Sequence, residues 1–230
     1  MVNTDVNRIA LMRNIDESIE IEPAALDYVN PNAQVVIVGI TPGNSQMSGS
    51  RDLMSLRDIK RKYAFAGTMR PNLINMLDYI GINKLLGIKT CGTLWDRDFD
   101  KVDMTSILKD AVYEIKKDGK KTMFNDVSKI DKSKKLKKLL EDGFIMNSKK
   151  YKHEVLFVAC GPGVYDVLKK LKIEKRINGL VVAIAHPSGA NAGRVNCYMG
   201  KKQPIDSSYQ WCADRSEEAI TIVKQLLSQW

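Results

Sequence analysis

Val35-Val36-Ile37-Val38-Gly39-Ile40-Thr41-Pro42-Gly43-Asn44-Ser45-Gln46 decides the fold. Four consecutive β-branched residues, Val35 to Val38, predict a strand buried on both faces, as in a parallel sheet. The strand runs into a stiff, sharply turned loop. Gly39 and Gly43 permit backbone angles that a side chain forbids, and Pro42 fixes its own φ while pushing Thr41 away from helix. In open α/β sheets ligands bind beyond the carboxyl ends of the strands, so this loop is a candidate site.

The same grammar recurs at Gly179 to Arg194. An apolar strand, Leu180 to Ala185, ends in the small-residue loop His186-Pro187-Ser188-Gly189-Ala190-Asn191-Ala192-Gly193-Arg194, which opens on one of only two histidines. Two more strands are predicted, one over Val102 to Leu108 that meets polar residues at Thr105 and Ser106, and one over Glu154 to Cys160. Gly161-Pro162-Gly163 turns the latter into a helix over Val164 to Leu171. Helical spacing also marks residues 51 to 63 and a segment with Pro71 in its first turn, which Gly81 closes. A terminal helix is expected over Ser216 to Trp230. Residues 5 to 29 read as partly helical, with Pro23 starting a helix through Tyr28, and Ser45 to Ser50 as flexible. Strands alternating with helices predict a three-layer α/β/α sandwich around a four-stranded, mainly parallel sheet, in a single domain over residues 1–230.

Composition narrows the class. The 230 residues include 44% apolar residues, enough for an ordinary core, and no run reaches the length of a membrane span. Met1 to Arg13 lacks the apolar region of a signal peptide, which predicts a cytoplasmic chain. Cys91, Cys160, Cys197 and Cys212 lie far apart and form neither a metal-binding spacing nor a disulfide framework, so no metal and no cofactor is expected. The net charge is +9, and residues 109 to 152 hold 14 lysines against 7 acidic residues, that is +7 of it. Such a stretch is either a footprint for nucleic acid or a solvated surface. Ser133 predicts a helix cap. Lys134, Lys135, Lys137 and Lys138 then fall where cations oppose the helix dipole, a placement that phosphate contact would explain.

Taken in order, these motifs resemble the uracil-DNA glycosylase superfamily over about residues 33 to 195. The correspondence is carried by Gly39-Ile40-Thr41-Pro42-Gly43, by Phe65-Ala66-Gly67 before a helix, by the Cys160-Gly161-Pro162 turn and by His186-Pro187-Ser188-Gly189. The resemblance implies a metal-free enzyme acting on a base extruded from DNA. Phe65 would be the aromatic stack, Ser106 would lie where the family reads the base, and Gly39, Ile40, Pro42, Gly43, Pro187, Ser188 and Gly189 would line the site. The chain departs from the family's pattern. Thr41 stands where other branches carry Asp or Asn to place the water, Ile40 stands where one branch carries Glu, and no cysteine precedes Cys91, which argues against an iron–sulfur cluster.

Breaking a base–sugar bond puts negative charge on the leaving base and positive charge on the sugar. His186 can donate to a base carbonyl, while Thr41, Asn44 or Asp52 can position the water. Arg70, Asn191 and Arg194 can hold the phosphates, with residues 189 to 194 as a small mobile loop that enters the duplex. The departures at Thr41 and Ser106 favour a modified or damaged base over plain uracil, in repair or in defence against modified foreign DNA. The other readings are a non-catalytic nucleic-acid binder on the same fold and a nucleoside or nucleotide hydrolase. A Cys160–His186 pair is weighed against a buried inert thiol, and the latter is preferred. His153 reads as a surface residue, and a monomer is expected.

Overall fold

The β-branched run at Val35 is central to the sheet it nucleates. In the computed structural model, which describes residues 15–24, 28–49 and 54–229, strands run over Ile19–Glu22 (β1), Val35–Gly39 (β2), Val102–Ser106 (β3), Ala111–Ile115 (β4), Lys121–Met123 (β5), Val155–Cys160 (β6) and Gly179–Ile184 (β7). Four of them form a parallel sheet in the order β3-β2-β6-β7. Val35 to Val38 are fully buried, because β2 has a strand on each edge and an apolar layer on each face.

Helices cover both faces. Val35, Ile37, Met104, Val158 and Val182 pack with Leu73, Leu77, Val195, Ala219 and Val223. These come from helices Met69–Tyr79, Ala192–Tyr198 and Ser207–Leu227. Val36, Val38, Phe157, Ala159 and Val181 pack with Leu136, Phe144, Val164 and Leu168 on the opposite face, where helices Lys134–Leu139 and Pro162–Ile173 lie. In chain order the helices used below are α1 (Asn44–Gly49), α2 (Leu56–Tyr63), α3 (Met69–Tyr79), α4 (Lys134–Leu139), α5 (Pro162–Ile173), α6 (Ala192–Tyr198) and α7 (Ser207–Leu227). Gly81, in the left-handed region at φ 90°, follows α3, and the Ser133 hydroxyl caps α4 by accepting from Leu136 N–H.

Four expectations are corrected. Ile19-Glu20-Ile21-Glu22 alternates with period two and forms β1, not helix. It pairs antiparallel with β4, and β4 with β5, in a three-stranded sheet that the parallel pattern did not anticipate. Asn44–Gly49 is a short helix rather than a flexible segment. The last helix begins at Ser207, nine residues ahead of Ser216, because the Asp206 carboxylate accepts from Ser208 and Tyr209 N–H and caps it.

A buried ion pair ties α2 to the sheet. Lys60 Nζ lies 2.6 Å from Asp103 Oδ1, with both side chains almost wholly excluded from solvent. Tyr151 Oη donates to Asp103 Oδ2 at 2.9 Å, Met104 N–H donates to Oδ1 at 2.8 Å, and Lys60 also reaches the Tyr28 carbonyl. A pair this deep is destabilising to break from one side, because the partner charge stays buried. Lys60→Met is expected to cost ~3–5 kcal/mol in urea unfolding. Lys60→Met combined with Asp103→Leu should recover a large part of that loss; a double variant no more stable than Lys60→Met would disprove the coupling.

Candidate active site

Parallel pairing delivers four strand ends to one edge of the sheet. Gly39 is level with Ser106, Val38 with Ala159, and Cys160 with Ile184. The pairing continues into the first loop, where Ile107 and Leu108 N–H donate to the Gly39 and Ile40 carbonyls at 2.9 Å. Pro42 is buried, and Gly43 N–H donates to Gln46 Oε1 at 2.9 Å, which closes the turn into α1.

Phe65 joins this edge. Its ring and Ser106 Oγ each come within 3.6 Å of the position that a Cβ on Gly39 would take, so the three residues meet at one point. The Phe65 backbone is left-handed at φ 51°, an uncommon and strained conformation for a bulky residue. The surrounding structure holds it there. The Ala64 carbonyl accepts from Trp95 Nε1 at 2.8 Å, and Ala66 N–H donates to the Tyr63 carbonyl. The ring itself is buried.

His186 stands at the end of β7, half-buried. Gly161, at φ 98°, lets β6 turn beside it; a Cβ at Gly161 would lie 3.4 Å from His186 Cβ. Asn72 on α3 donates to the Pro187 carbonyl at 2.9 Å and fixes the loop. Ser188 N–H points at His186 Nδ1 from 3.4 Å. A backbone N–H cannot accept, so in this contact Nδ1 is the acceptor. Burial lowers the His186 pKa below its ordinary value, which disfavours the charged ring.

No family model matches the sequence. The chain is 27% identical over 195 residues to the uncharacterized protein YoxB of Bacillus subtilis strain 168, across 78% of this chain and 74% of that protein. Among solved structures it is similar to wild-type SMUG2 of Pedobacter heparinus, with a TM-score of 0.47 and 17% identity over 85% of this chain and 76% of that one.

Several residues singled out from the sequence are committed to other partners. The Thr41 hydroxyl donates to the Asp110 carbonyl at 2.8 Å and accepts from Val112 N–H at 3.0 Å. These two bonds anchor the loop to β4 and use the hydroxyl's one proton. Arg70 turns inward, donating to the Lys62 and Ala64 carbonyls at 2.6 and 3.1 Å and lying 5.1 Å from the Trp95 ring centre. Residues 189–194 carry regular structure: Gly189–Asn191 form a 3-10 turn that leads directly into α6. Asn191 and Arg194 bond to one another there, at 2.8 Å.

On α4, Lys135 donates to the Asp16 carbonyl and Lys138 pairs with Asp142 at 2.5 Å, while Lys134 is exposed and Lys137 half-buried. This helix packs on its neighbours in the layer below the sheet, away from the His186 loop. Asn44 is exposed at the start of α1, and Asp52 lies outside the described residues. Burial raises the Cys160 thiol far above its ordinary range, so it supplies no thiolate to His186. Sequence reading missed Gln46 and Asn72. Gln46 was legible as an amide three residues after Gly43, where a first-turn side chain reaches back; Asn72 carried no local signal, since its partner is 115 residues away.

The histidine makes a measurable pH dependence. Its folded-state pKa is depressed relative to the unfolded value near 6.5, so the unfolded chain binds more protons in that window. The stability contribution is complete above pH 6.5 and is lost as pH falls through the lower, folded value. Urea unfolding from pH 8 to 5 should show this slope in the wild type and a shallower one in His186→Gln; identical slopes would mean that the ring is not held neutral by the fold.

Proposed function

We propose that the protein is a monofunctional DNA glycosylase that hydrolyses the N-glycosidic bond of a modified or damaged base turned out of the duplex, leaving an abasic site. The observation that carries this reading is His186 at the end of β7, its Nδ1 faced by the Ser188 N–H, on the same sheet edge as the cluster of Gly39, Phe65 and Ser106; a neutral ring so held has Nε2–H to donate. As the bond breaks, negative charge gathers on the base. A pre-oriented N–H donor in a partly buried site stabilises that charge without reorganisation. The backbone amides of the Gly39–Asn44 loop and the Ser106 hydroxyl add polar contacts for the base edge, and Phe65 and Pro42 supply apolar walls.

Water falls to groups other than Thr41. A cavity of about 20 Å³ is lined by Pro42, Gln46, Lys60, Thr105 and Ser106 among others, which is room for one water molecule. Gln46 is the amide of the first loop that lines this cavity and can orient the water, while Asn44 stands exposed at the start of α1. DNA is the proposed partner, reached by exposed cations such as Arg194.

The test is base release from single- and double-stranded DNA carrying uracil, hypoxanthine, alkylated bases, or hydroxymethylated or glucosylated cytosine, read as alkali-sensitive sites. His186→Ala is expected to lose ~10²–10³-fold in rate while remaining folded. Full activity in that variant would remove His186 from the mechanism. Salt-sensitive DNA binding without release of any base would replace the enzyme with a binding module on the same fold. The Thr41 hydroxyl already spent on Asp110 and Val112 is the observation that favours this second reading.

A further inference from the structure

The orientation of the Asn191 amide is decidable from its neighbours. Arg194 Nη1 lies 2.8 Å from Asn191 Oδ1, and a guanidinium only donates, so the amide oxygen faces Arg194. The NH2 group therefore faces the other way, toward Ser188 Oγ at 2.9 Å and His186 Nδ1 at 3.4 Å. Asn191 thus adds a second donor aimed at the nitrogen that Ser188 N–H already faces.

Arg194 is itself held. Its Nε donates to Ser208 Oγ at 3.1 Å, and its guanidinium lies 5.7 Å from the Tyr209 ring centre. Ser208 Oγ donates in turn to Asp206 Oδ1 at 2.6 Å, the carboxylate that caps α7. The seating of α6 on Tyr209 is tight: a Cβ at Gly193 would come within 2.4 Å of Tyr209 Oη. From Arg194 one arm of contacts runs through Asn191 to His186 and the other through Ser208 to Asp206.

We propose that Asn191 and Arg194 are positioning residues, anchored on the start of α7 through Ser208, that hold His186 in the tautomer carrying its proton on Nε2. The structural half of this inference stands on the hydrogen-bond geometry alone; its consequence for catalysis rests on the glycosylase reading. Arg194 then serves the histidine rather than acting solely as a phosphate contact.

The test reads the tautomer directly, by long-range proton–nitrogen NMR of the full-length, ¹⁵N-labelled protein at pH 8. Only His153 and His186 contribute, and a His186→Gln variant assigns them. Wild type is expected to show the Nε2–H form. Asn191→Asp keeps an acceptor for Arg194 but presents a carboxylate to Nδ1, and is expected to move the proton to Nδ1 and raise the titration midpoint of the ring. Arg194→Met, at an exposed position, releases the amide and is expected to give a mixture of tautomers; it keeps the test open if Asn191→Asp does not fold. An Nδ1–H form in the wild type, or an unchanged Nε2–H form in the folded variants, would overturn the proposal.

Where base release is measurable, Asn191→Asp should lower kcat by ~10²-fold or more with a smaller change in KM. An Nε2–H wild type that releases no base would leave the positioning chain standing and remove only the glycosylase reading.

Discussion

Everything at the candidate site depends on β2 being enclosed. With strands on both edges and apolar layers on both faces, Val35 to Val38 have no exposed surface. Burying four such side chains is worth ~1.5–3 kcal/mol each before the cost of ordering the chain is subtracted. Enclosure also means that the strand can meet solvent only at its end. The loop Gly39 to Gly43 is where a polar backbone first emerges from an apolar interior, and parallel pairing brings the ends of β3, β6 and β7 to the same edge.

Most polar side chains near that edge are used to hold it. Thr41 fastens the first loop to β4, Asn72 fastens the second loop to α3, and Arg70 occupies carbonyls at the end of α2. This economy explains why the residue types that look most reactive in the sequence are not all available for chemistry. In the proposed reaction the acting group is His186, whose Nδ1 faces the Ser188 N–H. The strained Phe65 backbone fits the same pattern, with a costly local conformation maintained by Trp95 and the turn at Ala66 so that its ring meets Gly39 and Ser106.

The lysine-rich stretch behaves differently from what its charge count invites. Lys116 and Lys129 share Glu114, Lys121 pairs with Glu20, and Lys138 pairs with Asp142. The exposed pairs among these, Lys121 with Glu20 and Lys138 with Asp142, contribute little to stability, ~0–1 kcal/mol each, but all four lysines are held toward carboxylates. A run of lysines in sequence is therefore a weaker guide to a nucleic-acid surface than the same number of cations gathered on one face.

Local chemistry alone made the parallel core legible. A β-branched run has few places to go but a doubly buried strand, and a strand that ends in Gly, Pro or His-Pro must turn at the sheet edge; β2, β6 and β7, the Gly81 boundary and the Ser133 cap all follow from neighbours within a few residues. The period-two alternation at Ile19 to Glu22 was present in the sequence too, but four residues are too few to outweigh the surrounding mixed pattern until β4 supplies a partner. The side-chain commitments belonged to the tertiary structure. Whether Thr41 holds water or a carbonyl, whether Arg70 faces DNA or Trp95, and which nitrogen of His186 carries the proton depend on groups up to 115 residues apart. A hydrogen bond is directional and short, so only the folded chain determines which donor meets which acceptor.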